Sequence, residues 1–215
     1  MVDYLSTAAS LDRNIGRTLN YLDRHNLSDN TVVIYVSDQG FFMGEHGWFD
    51  KRFMYEESFR TPMVMRYPGV IKPGTENTDF VMNLDIAPTV LQAANVHPPS
   101  DMQGQSFLPL VTKKAKGRDA MYYHYYENGE HSVSPHFGIQ TKRYKLIRFY
   151  TRVEGWELYD LKKDRGEMRN LYGKKGYEKT TAKLKEQLNR LIAQYEDEDA
   201  RKILSNPVNA VQESF

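Results

Sequence analysis

Asp38 and Gln39 stand together at the end of a short apolar run, residues 31–36, and Gly40, His46 and Lys51 follow within the next stretch of chain. A carboxylate beside an amide oxygen is a hard donor pair, suited to calcium or magnesium rather than zinc. Lys51 adds an ammonium that can reach back over such an ion and balance the charge of an anionic substrate group. His46, within Gly44-Glu45-His46-Gly47, can line that pocket as a donor or acceptor, or bond locally to hold a glycine-rich turn. A second concentration of imidazoles, His124, His131 and His136, lies in the aromatic-rich segment 122–147. The tyrosines around them alternate as on a half-buried strand.

These side chains need elements to hold them. The β-branched run 31–36, flanked by Asp29-Asn30 and Gly40, predicts a strand covered on both faces. Ligands of open α/β sheets bind at the carboxyl ends of strands. Neighbouring strand side chains point to opposite faces, so Asp38 and Gln39 converge on one ion only if the backbone leaves the strand there, which Gly40 permits. Leu5, Ala8, Leu11, Ile15, Leu19 and Leu22 recur at helical spacing and predict an amphipathic helix over 3–24 that packs on the sheet. A second buried run, 62–66, ends at Pro68-Gly69, and a helix over 83–94 carries Pro88 in an early turn, where a missing N–H costs little. This order predicts an α/β class.

Composition shifts after Val111. The basic stretch 112–119 reads as a linker, and the runs 120–126, 137–141, 144–150 and 156–161 predict a small antiparallel sheet. Residues 177–195 predict a helix with Leu184, Leu188, Leu191 and Tyr195 on one face, and no period continues from Glu196 onward. The expected division is a first domain over 1–111 and a second over 112–215. With 29 basic and 28 acidic residues the net charge is +1, which argues against a nucleic-acid partner or an acidic membrane surface. No run reaches transmembrane length, and residues 1–25 lack the pattern of a signal peptide. The absence of cysteine excludes disulfides without choosing a compartment.

Taken together, SDQGFFMGEHG, KRFMYEES, FRTPMVMRYPG, NLDIAPTVLQAANV, YKLIRFY and WELYDLKKDRGEMRNLY resemble the type I sulfatases of the alkaline phosphatase superfamily, across most of the chain and in the family's order. That resemblance implies a partial alkaline-phosphatase-like α/β sandwich followed by an antiparallel sheet with a C-terminal helix. It implies calcium bound by Asp38 and Gln39, a sulfate oxygen held by Lys51, and hydrolysis of carbohydrate sulfate esters of the glycosaminoglycan type, with His136 near the sulfate. Family members usually carry Asn or His where Gln39 stands.

The family attacks sulfur with a formylglycine made from Cys or Ser in a Cys/Ser-X-Pro-Ser-Arg segment, and this chain contains neither a cysteine nor such a segment. The paired aspartates that complete the calcium site and the His that protonates the leaving group are also missing. The chain therefore resembles the C-terminal half of a sulfatase. By itself it is expected to be inactive, with its own N-terminal half as a partner and a periplasmic or secreted location for the complete enzyme. The rival readings are a phosphoesterase of the same superfamily and a noncatalytic carbohydrate-binding or truncated fragment.

Overall fold

The computed structural model describes residues 2–205, and its class is α/β. Contacts divide the chain into two compact units: one holds residues up to Ser37, 62–78 and 108–115, the other 38–61, 79–107 and the residues from Lys116 on.

In the first unit, helix α1 (Val2–Arg24) forms as its periodicity predicts, yet none of its residues is buried. Strand β1 (Val33–Val36) pairs antiparallel with β2 (Met63–Arg66), with Val33 opposite Arg66 and Val36 opposite Met63. The expectation of a strand covered on both faces is not met, since Tyr35 is 39% exposed and Val64 65%. β-branched residues favour the extended backbone, but a cover must come from other elements, and among the described residues this sheet has two strands. A short helix, α4 (Leu108–Val111), completes the unit.

In the second unit, α2 (Glu56–Phe59) and α3 (Ile86–Ala93) precede a four-stranded antiparallel sheet in chain order: β3 (Ala120–Tyr125), β4 (His136–Thr141), β5 (Tyr144–Phe149) and β6 (Gly155–Asp160). Its strands match the predicted runs to within a residue at each end. On one face Phe137, Ile139, Leu146 and Leu158 pack with Leu184, Leu188 and Ile192 of α5 (Glu178–Gln194) and Ala200 of α6 (Glu198–Ser205). The other face buries Ile147, Phe149 and Tyr159 against Met54, Phe53, Tyr55 and Phe59, so the segment that follows Lys51 is fixed to the sheet by apolar burial.

Helix α6 corrects the reading of an unpatterned stretch after Glu196. Asp197 caps it, accepting the Ala200 N–H at Oδ1 (2.9 Å), while its Oδ2 receives the Tyr122 and Tyr126 hydroxyls (2.7 and 2.9 Å) and contacts His124 Nδ1 at 2.6 Å. A cap supplied from outside the helix's apolar pattern leaves no periodic signal in a sequence this short. That same reading's residues 206–215 lie outside the described residues.

Asp85, fully buried ahead of α3, ties the 79–107 segment together. Its carboxylate meets Arg118 in a fork (2.5 and 2.6 Å) and accepts the N–H groups of Met82 and Gln105 (2.9 and 2.8 Å). Bidentate pairing with two further donors is what makes a buried charge tolerable.

Candidate functional site

The loop from Asp38 to Tyr55 is built around an aromatic cluster. Phe42 is fully buried and meets His46, Phe53 and Tyr55 edge to face, with centroids 5.9, 6.4 and 6.3 Å away. Hydrogen bonds from Phe42 N to Asp50 O (2.7 Å) and from Gly44 N to Trp48 O (2.9 Å) close the loop on itself. Gly44 and His46 at its tip have positive φ, 125° and 54°. Gly40 is required for a different reason than the sequence suggested. Its φ is not positive; instead, a Cβ there would lie 2.0 Å from the backbone oxygen of Glu57.

Asp38 is exposed and Gln39 half-buried, and Asp38 Oδ1 accepts the Gln39 N–H at 2.9 Å. Asn83 Nδ2, in the turn just ahead of α3, donates to the Asp38 carbonyl at 2.5 Å. Lys51 is half-buried, and its ammonium has no ion-pair partner among the described residues. His46 stacks on Tyr55 (4.4 Å, 12°), and its Nε2 lies 3.5 Å from Glu57 Oε2, an ion-pair distance but not a hydrogen bond. Glu56 turns the other way, to Lys145 Nζ (3.0 Å) and Gln140 Nε2 (2.9 Å), whereas Arg60 is exposed.

His136 opens β4 fully buried, in a box of Phe53, Tyr123, Tyr125 and Phe149 with centroids 5.0 to 5.9 Å away. Its Nδ1 donates to the Ser134 carbonyl at 2.9 Å, so the neutral ring presents a lone pair at Nε2, which has no partner among the described residues. Burial without a counter-charge pushes its pKa down to about 4.

Sequence reading did not anticipate a polar chain that begins beside Lys51. Asp50 receives the Arg52 guanidinium at 2.5 Å; Arg52 also bonds His131 Nε2, and His131 Nδ1 meets Glu127 at 2.7 Å. Arginine can only donate, so Nε2 of His131 accepts and Nδ1 carries the proton given to Glu127. The Tyr125 hydroxyl, and after it His131, hold the Glu127 carboxyl down at about 2. A signal was present: Asp50, Lys51 and Arg52 interrupt an otherwise aromatic loop, and charges in such surroundings need partners. Glu127, Glu130 and His131 are close enough to share a cation, but the fixed positive charge of Arg52 at His131 Nε2 opposes one there. Asp38 belongs to no cluster of three such ligands among the described residues.

An aromatic-walled loop thus carries a carboxylate, an amide, an ammonium and a guanidinium, and the connection between β3 and β4 adds the imidazole of His131. The family model for N-sulphoglucosamine sulphohydrolase, C-terminal, matches residues 44–194. The chain belongs to the sulfatase family. Its sequence is 50% identical over 204 residues to the N-acetylglucosamine-6-O-sulfatase of Bacteroides thetaiotaomicron, covering 93% of this chain and 37% of that protein. A solved structure of a sulfatase relative in complex with its substrate D-glucosamine-2-N,6-O-disulfate superposes with a TM-score of 0.88 at 50% identity, over 92% of this chain and 41% of that one. The phosphonate monoester hydrolase of Agrobacterium radiobacter shares the fold at 25% identity, with a TM-score of 0.77 over 87% of this chain and 40% of that one. This sulfatase chain thus spans about two fifths of the length of the relatives it matches.

Proposed function

We propose that this chain supplies the sulfate-gripping and sugar-reading side of an enzyme that hydrolyses sulfate monoesters of amino-sugar carbohydrates. The observation that carries the reading is the placement of Lys51 between Asp50 and Arg52, with Arg52 bonded to His131 of the connection between β3 and β4. A cation for the sulfate and a set of directional donors and acceptors for sugar hydroxyls then adjoin in one segment. Charge-assisted contacts of this kind discriminate strongly for a hydroxyl that fills them. The 50% identity to an N-acetylglucosamine-6-O-sulfatase supports the same substrate class, and similarity to sulfatases named as extracellular supports a periplasmic or secreted setting.

In this reading Asp38 and Gln39 hold calcium. Their oxygens fit the ion in kind, but they are too few for the six to eight ligands it prefers, so the remainder comes from outside this chain. Calcium supplies Lewis-acid stabilisation of the sulfate oxygens. The formylglycine nucleophile likewise belongs to sequence outside this chain. Lys51 neutralises charge that builds on the sulfate as the ester bond breaks. His46 and His136 enter the proposal narrowly: both are largely buried, and His136, its Nδ1 bonded to Ser134, would meet substrate only through Nε2.

The test is Lys51→Ala in a sulfatase polypeptide that carries this segment, with sulfate release from 6-sulfated N-acetylglucosamine as the readout. Loss of one preorganised electrostatic contact costs on the order of a hundredfold in kcat. Unchanged turnover in the folded variant would remove Lys51 from the mechanism.

A further inference from the structure

Ser58 is 5% exposed, sits within α2 and has no chemical role assigned above. It nevertheless holds the backbone at two places that matter. Its carbonyl accepts the N–H of Gly40 at 2.8 Å, and its hydroxyl accepts the N–H of Arg52 at 2.8 Å. Gly40 is the residue after Gln39, and Arg52 is the residue after Lys51. One side chain and its own carbonyl therefore bond the chain one step beyond the metal-type pair and one step beyond the cation.

The two attachments are unlike ordinary loop contacts. The Gly40 backbone approaches so closely that any side chain would strike the Glu57 carbonyl. Arg52 has φ of 96°, a conformation costly for a residue with a side chain, and such strain persists only where neighbouring groups over-determine it. The Ser58 hydroxyl is the group that receives its N–H. The same backbone orientation sends the Arg52 side chain toward Asp50 and His131. The helix bearing Ser58 is itself anchored, because Glu56 N donates to Glu167 Oε2 at 2.7 Å and Lys145, wholly buried, bridges Glu167 and Glu56 at 2.7 and 3.0 Å.

From this geometry we propose that Ser58 is a positioning residue, one that sets the separation between Asp38-Gln39 and Lys51 and keeps Arg52 in its strained, sugar-facing conformation. The proposal rests on the sulfatase reading above. It acts through backbone placement, and displacements of about 1 Å in such a site cost on the order of a hundredfold in rate.

The experiment compares Ser58→Ala with Ser58→Thr in a sulfatase polypeptide that carries this segment. It measures kcat and KM on 6-sulfated N-acetylglucosamine, and amide hydrogen exchange at Arg52. In Ser58→Ala, kcat should fall by on the order of tenfold to a hundredfold and exchange at Arg52 should accelerate, while thermal unfolding confirms a folded protein. Ser58→Thr keeps the hydroxyl and should retain most of the rate and the protection. Faster exchange at Arg52 with wild-type kcat in Ser58→Ala would overturn the proposal and leave the sulfatase reading intact. Equal losses of kcat in the two variants would also overturn it, because volume rather than the hydroxyl would then be at issue. No sulfate release from the unmodified protein would defeat the sulfatase reading, and the proposal with it.

Discussion

In the four-stranded sheet Phe137, Ile139, Leu146 and Leu158 are wholly buried, whereas in the two-stranded sheet Tyr35 and Val64 keep 39% and 65% of their surface in contact with solvent. Both sheets are antiparallel, and both are written in apolar and β-branched residues. They differ in whether the described chain brings its own cover. The larger sheet has α5 and α6 on one face and the Met54 cluster on the other. Strands β1 and β2 have each other, and helix α1 in the same unit buries none of its residues. Strand formation and strand burial are thus separate events: local propensity governs the first, and the supply of packing partners governs the second. The loop that carries Asp38, His46 and Lys51 takes its rigidity from the covered sheet, through Met54, Phe53 and Tyr55.

The contrast can be broken at several points, beginning with the largest effect. Asp85→Ala should destabilise the protein by about 3–5 kcal/mol, because it leaves the Arg118 guanidinium facing a buried gap and strips two backbone N–H groups of their acceptor. Chemical denaturation would measure it, and a loss under about 1 kcal/mol would show that water reaches this site. Leu188→Ala, at the centre of the covered face, should cost about 3 kcal/mol, from lost burial and the cavity left behind.

The acid side offers a comparison within the covered sheet itself. His136 titrates near 6.5 when unfolded and is pushed down to about 4 by burial in the fold. The unfolded chain therefore binds more protons between these values, so the stability this group contributes is complete above pH 6.5 and is lost as pH falls toward 4. The loss amounts to about 3 kcal/mol over that window. His136→Phe keeps the ring in its aromatic box and should flatten that part of the stability profile; an unaltered slope would place the acid sensitivity elsewhere. Smallest of all, Val64→Ala on the uncovered strand should change stability by no more than about 0.5 kcal/mol. A cost matching that of Leu188→Ala would mean that this face is covered in solution.

Much of the second unit was legible in the order of residues. The strands from Ala120 to Asp160 announce themselves by alternation and by the tight Lys142-Arg143 connection, and α5 by its leucine stripe. Each is a repeating signal, and repetition survives without knowledge of the neighbours. Helix α6 was missed because its anchor, Asp197, is bonded by Tyr122, His124 and Tyr126 from a strand far away in sequence.

The candidate site divides along the same line. Residue types and motif order alone pointed to Asp38, Gln39 and Lys51 and to the sulfatase family, because donor hardness and charge are properties of single side chains. Which charges meet was settled only by the folded chain. Arg52 reaches His131 across a long stretch of sequence, Glu56 turns to Lys145 and away from Arg60, and His136 becomes a buried neutral ring. The sequence specifies the chemical character of each group. Distance, tautomer and burial arise when the loop before α2 is laid on the β3–β6 sheet, and no local pattern encodes them.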